Sequence, residues 1–492
     1  MQKIIPGAAY PLHGVVQTRR LEEHAARNLP PHALMQRAGL AVAQLALAIA
    51  PHAQRIWIAC GTGNNGGDGL AAAMHLQKWG KQCVVTWLGN AKCAPLDTRW
   101  AHQKLLNSGV VIQPTPDGEV DLCIDALLGI GGQLREPQGQ MADWIRLINT
   151  ASTPVLSIDA PSGLHAETGQ AMQLCVKASH TLSLLTLKPG LFTAQGRDAA
   201  GCVWFDPLGV AEHTQSTINP LACINRRPVE TTRLHATHKG SYGDVAVLGG
   251  APGMTGAALL AASAALHAGV GRVFVGMLGT APIHVDFLHP ELMFRSINSL
   301  DLSSMVLVCG CGGGQEVQAI LYDVLSSSAP VVIDADALNA IASNTALQSA
   351  VEARQGRSAA TVLTPHPLEA ARLLAVTTHQ VQENRLTAAQ ALAQKFACTV
   401  VLKGSGTVIA SPGQTPVINI TGNARLACAG TGDVLAGILG AQLAAAHPAF
   451  DAACRAVYQH GDLADNWPQD ISLTASLLAS GRFGQNKNKS RF

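Results

Sequence analysis

Charge is what this sequence has least of. Asp, Glu, Lys and Arg together make up 13% of its 492 residues, against ~25% in a typical soluble domain. A chain so poor in charge, and 48% apolar, is not disordered, not a coiled coil and not a solvated acidic or basic tail. No one sign dominates either: 34 Lys and Arg against 32 Asp and Glu leave a formal +2, too little to hold a polynucleotide through its phosphates. Long apolar runs are missing. The most apolar early stretch, residues 40–50, contains Gln44 and stops at Pro51, well short of the ~20 residues that cross a bilayer. Residues 1–10 offer one lysine, then Pro6 and Gly7, with no apolar segment or cleavage site after them, so no secretory signal is expected. The 12 cysteines form no CxxC pair and are no disulfide framework. Cys309 and Cys311 stand too close in a glycine run to be half of a zinc site. Neither nucleic acid nor a membrane is an expected partner, and a reduced, cytoplasmic enzyme is the reading that these absences leave.

What is present is glycine, 48 residues of it, and it is clustered. Glycines follow short β-branched runs and precede helix-like segments. Residues 55–60 read as a strand leading into Gly61-Thr62-Gly63-Asn64-Asn65-Gly66-Gly67-Asp68-Gly69, followed by an Ala/Leu helix to Trp79. Further strands are expected at 120–126 and 154–159. Continuous apolar strands alternating with helices imply a parallel sheet covered on both faces, with ligands at the carboxyl ends of the strands. The second half repeats this grammar in different words. A strand at 243–248 ends in Gly249-Gly250, an Ala-rich helix follows Gly256, and strands are expected at 305–309, 331–333, 361–363 and 399–402. Between the halves, residues 206–230 are rich in Pro, Asn, Thr and His without a clear period, which places a linker near 215–230; the tail from Gly481 reads as frayed. At ~150 residues per domain, two large domains are in range. Neither half copies the other, so the chain reads as an α/β fusion with domains at 1–220 and 228–492 rather than a tandem repeat.

In the first half, Gly61, Gly63 and Gly66 satisfy GxGxxG after a strand. A dinucleotide fingerprint also needs an acid about 20 residues on, at the end of the next strand; here that strand, 83–88, ends in Gly89-Asn90. No GK[ST] closes a Walker loop. Asn64-Asn65-Gly66-Gly67-Asp68-Gly69 is the distinctive run. Amide oxygens beside closely approaching backbone suit a hard monovalent cation, or the hydroxyls and phosphates of a nucleotide. Two adjacent Asn among four glycines exceed what a turn needs, whereas Asp68 can equally be an N-cap.

With Asp125-Ala126-Leu127-Leu128-Gly129-Ile130-Gly131, Ser157-Ile158-Asp159-Ala160-Pro161-Ser162-Gly163 and Leu34-Met35-Gln36-Arg37-Ala38-Gly39, this half resembles the NAD(P)H-hydrate epimerase family over residues 10–210; Gln36 stands where Glu is usual. The resemblance implies a Rossmann-like parallel-sheet domain with K+ held near Asn65, Asp125 and Ser162. It also implies a substrate dinucleotide along Asn64, Asn65, Gly66, Gly67 and Asp68 and along Gly129, Ile130, Gly131, Gly132, Gln133, Leu134 and Arg135. Asp159 would meet the reacting ring. Hydrated NADH or NADPH carries a C6 hydroxyl in R or S configuration, and exchanging the two needs an acid/base group near that oxygen. A strand-end carboxylate followed by Pro161 and Gly163 is aimed for it, although Asp before Pro-Ser-Gly also caps turns, and Asp125 can be a buried turn former.

Three clusters mark the second half: Gly249-Gly250-Ala251-Pro252-Gly253-Met254-Thr255-Gly256-Ala257 at a helix start, Lys403-Gly404-Ser405-Gly406-Thr407 after a strand, and Ala429-Gly430-Thr431-Gly432-Asp433 opening another helix. Bare N–H groups at the 430–432 helix start make an anion site. A carboxylate beside an anion is awkward unless it takes a proton from a hydroxyl that attacks phosphorus; otherwise Asp433 serves the helix dipole. The GTGD run resembles the anion hole and base of ribokinase-like enzymes. A strand-end lysine such as Lys403 is usually solvated, which leaves the backbone N–H groups of 404–407 as the better nucleotide ligands.

His238-Lys239-Gly240, residues 247–257, Val332-Ile333-Asp334-Ala335-Asp336-Ala337-Leu338-Asn339 and Thr364-Pro365-His366-Pro367 resemble the ADP/ATP-dependent NAD(P)H-hydrate dehydratase family across 230–480. That resemblance implies a ribokinase-like α/β domain, substrate contacts at Ala257, Gly312, His366 and Asp433, and adenine nucleotide on Lys403, Gly404, Ser405, Gly406, Thr407 and Gly432. Leu368 and Arg425 replace usual glycines, and Gly313 replaces a larger residue. Arg425 can add a phosphate contact or crowd its loop. Asp334 and Asp336 stay outside the catalytic set, as water-mediated aids to a magnesium site or as turn formers.

The expectation is a bifunctional metabolite-repair enzyme with catalytic Asp159 and Asp433, K+ in the first domain and Mg2+ with ADP in the second. Its substrates are NADHX, NADPHX and ADP, its products AMP and phosphate, and its assembly a homo-oligomer. A thiazole-type kinase with an accessory domain shares the anion hole and base but leaves residues 64–69 and Asp159 unexplained. A first half that only binds dinucleotide is the other rival.

Overall fold

The computed structural model describes residues 1–131, 135–210, 218–229, 232–279 and 284–481. The chain divides into two compact units, one made of Met1–Ile5 and Tyr10–Cys223 and the other of Pro6–Ala9 and Ile224–Phe492.

In the first unit, the strand Arg55–Cys60 is buried on both faces, which is why it reads as unbroken apolar sequence. Its alternate residues enter different cores. Ile56, Ile58 and Cys60 pack with Val42, Leu45, Leu70 and Leu76 of the helices Ala33–Ile49 and Asn64–Lys78, while Trp57 and Ala59 pack with Trp144, Ile145 and Ile148 of the helix Gly139–Thr150. The sheet runs Cys202–Asp206, His180–Leu184, Val155–Ile158, Leu122–Ala126, Arg55–Cys60, Gln82–Trp87 and Ile112–Gln113, all parallel, with Gln2–Lys3 antiparallel at one edge. Strand order therefore reverses between Arg55–Cys60 and Leu122–Ala126. In an open parallel sheet that reversal parts the loops and opens a crevice at the carboxyl ends, and the loops there start at Gly61 and Leu127.

The second unit has the same design. Met293–Phe294, Arg272–Met277, Asp244–Gly249, Val306–Cys309, Val331–Ile333, Thr361–Leu363 and Thr399–Leu402 are parallel neighbours, and Val408–Ala410 and Val417–Ile418 extend the sheet antiparallel. Its switch point lies between Asp244–Gly249 and Val306–Cys309. Val245 and Val247 face Ala258, Ala261 and Ala265 of the helix Thr255–His267 and Val434 and Leu439 of the helix Thr431–Ala444. These helices meet backbone to backbone, because a Cβ on Gly437 would drive into the Ala261 carbonyl. That approach seats the start of Thr431–Ala444 over the strand ends.

The α/β class, the parallel sheets and the strands expected at 55–60, 120–126, 154–159, 243–248, 305–309, 331–333, 361–363 and 399–402 are observed to within two residues at either end. The segment 206–230 hides a short strand, Ala222–Ile224, too brief to show a period. No helix among the described residues is long and apolar enough to cross a membrane. Gly437→Val is expected to lower stability by about 1–3 kcal/mol through overpacking, read as a fall in the midpoint of thermal unfolding. An unchanged midpoint would show that the helices have room to part.

Candidate functional site

The first crevice is built on close backbone. A Cβ on Gly61 would collide with the Leu127 carbonyl, so only glycine lets the two strand-end loops cross. The helix starts at Asn64, with Gly67 N–H donating to Gly63 O at 3.2 Å. Asp68 therefore sits one turn inside the helix and is not its N-cap. Asn64 Oδ1 accepts from Thr98 Oγ1 at 3.2 Å, and Asn65 Nδ2 donates to Leu128 O at 2.9 Å. From Leu128 the network runs on: its N–H donates to Ser162 Oγ at 2.9 Å, and Ser162 Oγ donates to Asp125 Oδ1 at 2.6 Å. Asp125 is fully buried and accepts three more bonds, from Ser162 N–H at 2.9 Å, Ser157 Oγ at 2.8 Å and Leu127 N–H at 3.2 Å. Burial pushes its carboxyl up, and these donors only partly offset that. The expected cation ligands Asn65, Asp125 and Ser162 are thus joined in one hydrogen-bonded network, Asn65 through its amide nitrogen and Leu128.

Asp159 follows the strand Val155–Ile158 in a left-handed conformation, φ 67°, which costs a non-glycine residue about 1–3 kcal/mol and recurs at functional sites. Its carboxylate does not cap the turn ahead of it. Oδ1 pairs with Lys188 Nζ and accepts from Leu184 N–H at 3.4 Å. Lys188 is fully buried and also donates to Leu184 O at 2.8 Å. Asp68 is pushed well up, first by burial and then by the charges of Asp159, Glu22 and Asp97, so these acids share one field. Gly129 lies against Asn65, and Arg19 Nη2 holds Gly131 O at 2.7 Å. Ile130 is half-buried and Arg135 exposed; Gly132, Gln133 and Leu134 lie outside the described residues. Sequence reasoning missed Lys188, whose signal was a solitary charge in the otherwise uncharged run 181–193.

In the second unit, Lys403 is not a solvated strand-end lysine. Its Nζ lies 2.6 Å from Asp334 Oδ1, and Asp334 also accepts from Thr364 Oγ1 at 2.8 Å. Burial pushes the ammonium down, but Asp334 and Glu369 more than reverse this. Asp433 lies in the first turn of Thr431–Ala444, whose N-cap Gly430 has φ 89°. Oxygens of Asp433 and Asp334 and the Cys311 sulfur all lie within 4.8 Å of one another. The Asp433 carboxyl is pushed up to about 6, chiefly by burial and then by Asp334, against the Cys311 hydrogen bond and the Lys403 charge. Asp334 and Cys311, left out by sequence reasoning, are therefore its immediate neighbours. No pattern pointed to Cys311, because a thiol in a glycine run carries no local signature.

Around this centre, a Cβ on Gly432 would stand 3.4 Å from Lys403 Nζ, and one on Gly312 would stand 2.9 Å from Ala257 Cβ, so these loops converge. Arg385, buried, clamps Lys403 O at 3.0 Å and Leu402 O at 3.2 Å beneath Gly404, Ser405, Gly406 and Thr407; Thr407 Oγ1 donates to Gly404 O at 3.1 Å. His366 caps its own helix, Nδ1 accepting from Leu368 N–H at 3.1 Å, while Nε2 faces Glu369 Oε1 at 3.2 Å. Burial pushes Glu369 up to about 7. Asp336 Oδ2 accepts from Gly314 N–H at 2.9 Å. The Arg425 guanidinium donates to Trp467 O at 3.3 Å and Pro468 O at 3.0 Å, an anchor for its own loop.

A family model described as NAD(P)H-hydrate dehydratase matches residues 245–481, and one described as YjeF-related protein N-terminus matches residues 31–190. The chain is 35% identical over 466 residues to a bifunctional NAD(P)H-hydrate repair enzyme of Escherichia coli (strain K12), covering 91% of this chain and 88% of the other. It is 42% identical over 254 residues to an ADP-dependent (S)-NAD(P)H-hydrate dehydratase of Neisseria meningitidis serogroup B, covering 50% of this chain and 84% of that one. Among solved structures it is similar to the ADP/ATP-dependent NAD(P)H-hydrate dehydratase from Bacillus subtilis co-crystallised with ATP/Mg2+, at 30% identity and TM-score 0.43, covering 51% of this chain and 91% of that one.

An acid held above its ordinary value of 3.8, here at about 6, binds its proton more tightly in the folded than in the unfolded chain, so stability is given up as pH climbs through that window. Asp433→Asn removes the charge and is expected to raise the thermal midpoint above wild type at pH 8, with the gap closing toward pH 4. A variant less stable than wild type at pH 8 would place the carboxylate in a stabilising ion pair instead.

Proposed function

Because the chain belongs to the bifunctional NAD(P)H-hydrate repair enzyme family, we propose a division of labour between its two crevices. The enzyme epimerises the R and S forms of NAD(P)H hydrate and dehydrates the S form to NAD(P)H at the expense of ADP, giving AMP and phosphate. The first crevice performs the exchange. The C6–O bond breaks with its electron pair on oxygen, which takes a proton and departs as water while the N1 lone pair makes the ring an iminium. Water then adds to the opposite face and returns the proton. Asp159 is the acid/base group, and the loop of Asn64, Asn65, Gly66, Gly67 and Asp68 with Gly129–Arg135 carries the dinucleotide. Asn65, Asp125 and Ser162 would hold K+, which supplies fixed positive charge beside the substrate when bound.

The second crevice performs the dehydration. Asp433 takes the proton of the C6 hydroxyl, the oxygen attacks the β-phosphorus of ADP, and the bond to AMP breaks. Phosphate then leaves C6 with that oxygen, C5 loses a proton, and the C5=C6 double bond of the dihydropyridine is restored. The N–H groups at the 430–432 helix start hold the transferring phosphoryl group. Lys403, Gly404, Ser405, Gly406, Thr407 and Gly432 take the nucleotide, whose charge magnesium offsets when bound; Ala257, Gly312 and His366 meet the hydrate. The observation that carries this reading is Asp433 itself, a carboxyl poised at about 6 in the first turn of a helix, suited to a base near neutral pH. A simple kinase would use the same base but has no need of the Asn65–Asp125–Ser162 cluster, and a first unit that only binds has no need of a strained Asp159 on a buried lysine. The reading keeps a cytoplasmic homo-oligomer; all 12 cysteines being free supports a reducing compartment.

The test is recovery of NAD(P)H absorbance from a mixed-epimer hydrate. With ADP, wild type is expected to convert everything, Asp159→Ala to stop near the S fraction, and Asp433→Ala to convert nothing. Full conversion by Asp433→Ala refutes the assigned base. The wild-type dehydration rate is expected to fall below about pH 6, as Asp433 takes up its proton.

A further inference from the structure

The lysine beneath Asp159 belongs to none of the roles assigned above, and its side chain is fully enclosed. Lys188 has no exposed side-chain surface and directs its ammonium to two acceptors, Asp159 Oδ1 and Leu184 O. Bringing a lysine out of water entirely is costly unless a partner carries the opposite charge. Asp159 is that partner, and its backbone lies in the left-handed region at φ 67°. The same carboxylate stands in an otherwise acidic field, since its charge bears on Asp68 of the helix Asn64–Lys78 and on Glu22 of the helix Val15–Arg27. Asp97 acts on both of those acids, Arg19 acts on Glu22, and the charge of Lys188 reaches Glu22 and His13. Burial, and then the lysine, push His13 toward its neutral form, so the imidazole adds no second cation. Lys188 is thus the cation in direct contact with Asp159.

We propose that Lys188 is a positioning residue for epimer exchange: its sealed ammonium fixes the Asp159 carboxylate in orientation, facing the C6 oxygen of the hydrate. This deepens the epimerase reading and rests on Asp159 being the acid/base group there. Without the lysine, the carboxylate would keep only the Leu184 N–H at 3.4 Å and lose its fixed orientation. Leu184 O, the lysine's second acceptor, ties this arrangement to the end of the strand His180–Leu184.

The test measures kcat and KM of epimer exchange in the full-length chain, with dehydration of the pure S epimer by ADP as the check that each variant is folded and otherwise competent. Lys188→Met is expected to lower kcat of exchange by about tenfold or more through misorientation of the carboxylate, with KM within about twofold of wild type and S-epimer dehydration unchanged. Lys188→Arg, which keeps a cation against the carboxylate, is expected to recover part of the lost kcat. A Lys188→Met chain with exchange kcat near wild type overturns the proposal, and so does one whose kcat, KM and S-epimer dehydration all worsen together without recovery by Lys188→Arg, because a merely structural lysine would do either. Exchange that survives Asp159→Ala fails the epimerase reading itself, and is told apart from failure of the lysine's role by that variant alone.

Discussion

A buried carboxylate needs a counter-charge, and a single ammonium cannot serve two carboxylates equally. In the second crevice Lys403 gives its hydrogen bond to Asp334, and Asp433 receives the lysine's field but a thiol's hydrogen bond. That unequal sharing leaves Asp433 at about 6, ionised at neutral pH yet still able to take a proton. Pairing with Lys403 would have made Asp433 a weaker base, and a dry site without Lys403 would have kept it protonated. The first crevice uses the opposite arrangement, in which the Asp159 carboxylate itself holds the lysine.

Both arrangements depend on where a parallel sheet reverses its strand order. At that point neighbouring loops part, and the loops that fill the gap in this chain are glycine-rich because backbone passes backbone there, as Gly61 does beneath Leu127. Helices begin directly above, at Asn64 and Thr431, so N–H groups and carboxylates are delivered to the same few ångströms. The charge-poor composition has the same origin, since strands buried on both faces leave charge only where chemistry or solvent requires it.

The fold was legible because continuous apolar strands and glycine-terminated loops are local signals. The loops bearing Asn65, Asp125, Asp159 and Asp433 could be found the same way. Their neighbours could not. Asp334 reads as a turn former until Lys403 and Thr364 are seen on it, Lys188 is 29 residues from its partner Asp159, and Cys311 has no pattern of its own. Each of these contacts joins the ends of different strands, and sequence spacing carries no information about which strands adjoin. Asp68 shows the converse error, because an acid after a glycine run looks like a cap until the helix is seen to begin four residues earlier.

Joining the two activities in one chain follows from the chemistry, since a dehydratase that consumes one epimer strands the other unless something interconverts them. The central claim is that Asp433 turns the hydrate's own hydroxyl into the nucleophile that captures phosphate. Isotopic labelling tests it most directly. In the Asp159→Ala chain, where exchange of the C6 oxygen with water is shut off, turnover of S hydrate carrying 18O at the C6 hydroxyl with ADP should release inorganic phosphate bearing one 18O atom per molecule, with none in the water. Label appearing in water, with unlabelled phosphate, would mean that the hydroxyl leaves without ever bonding to phosphorus and would contradict the account.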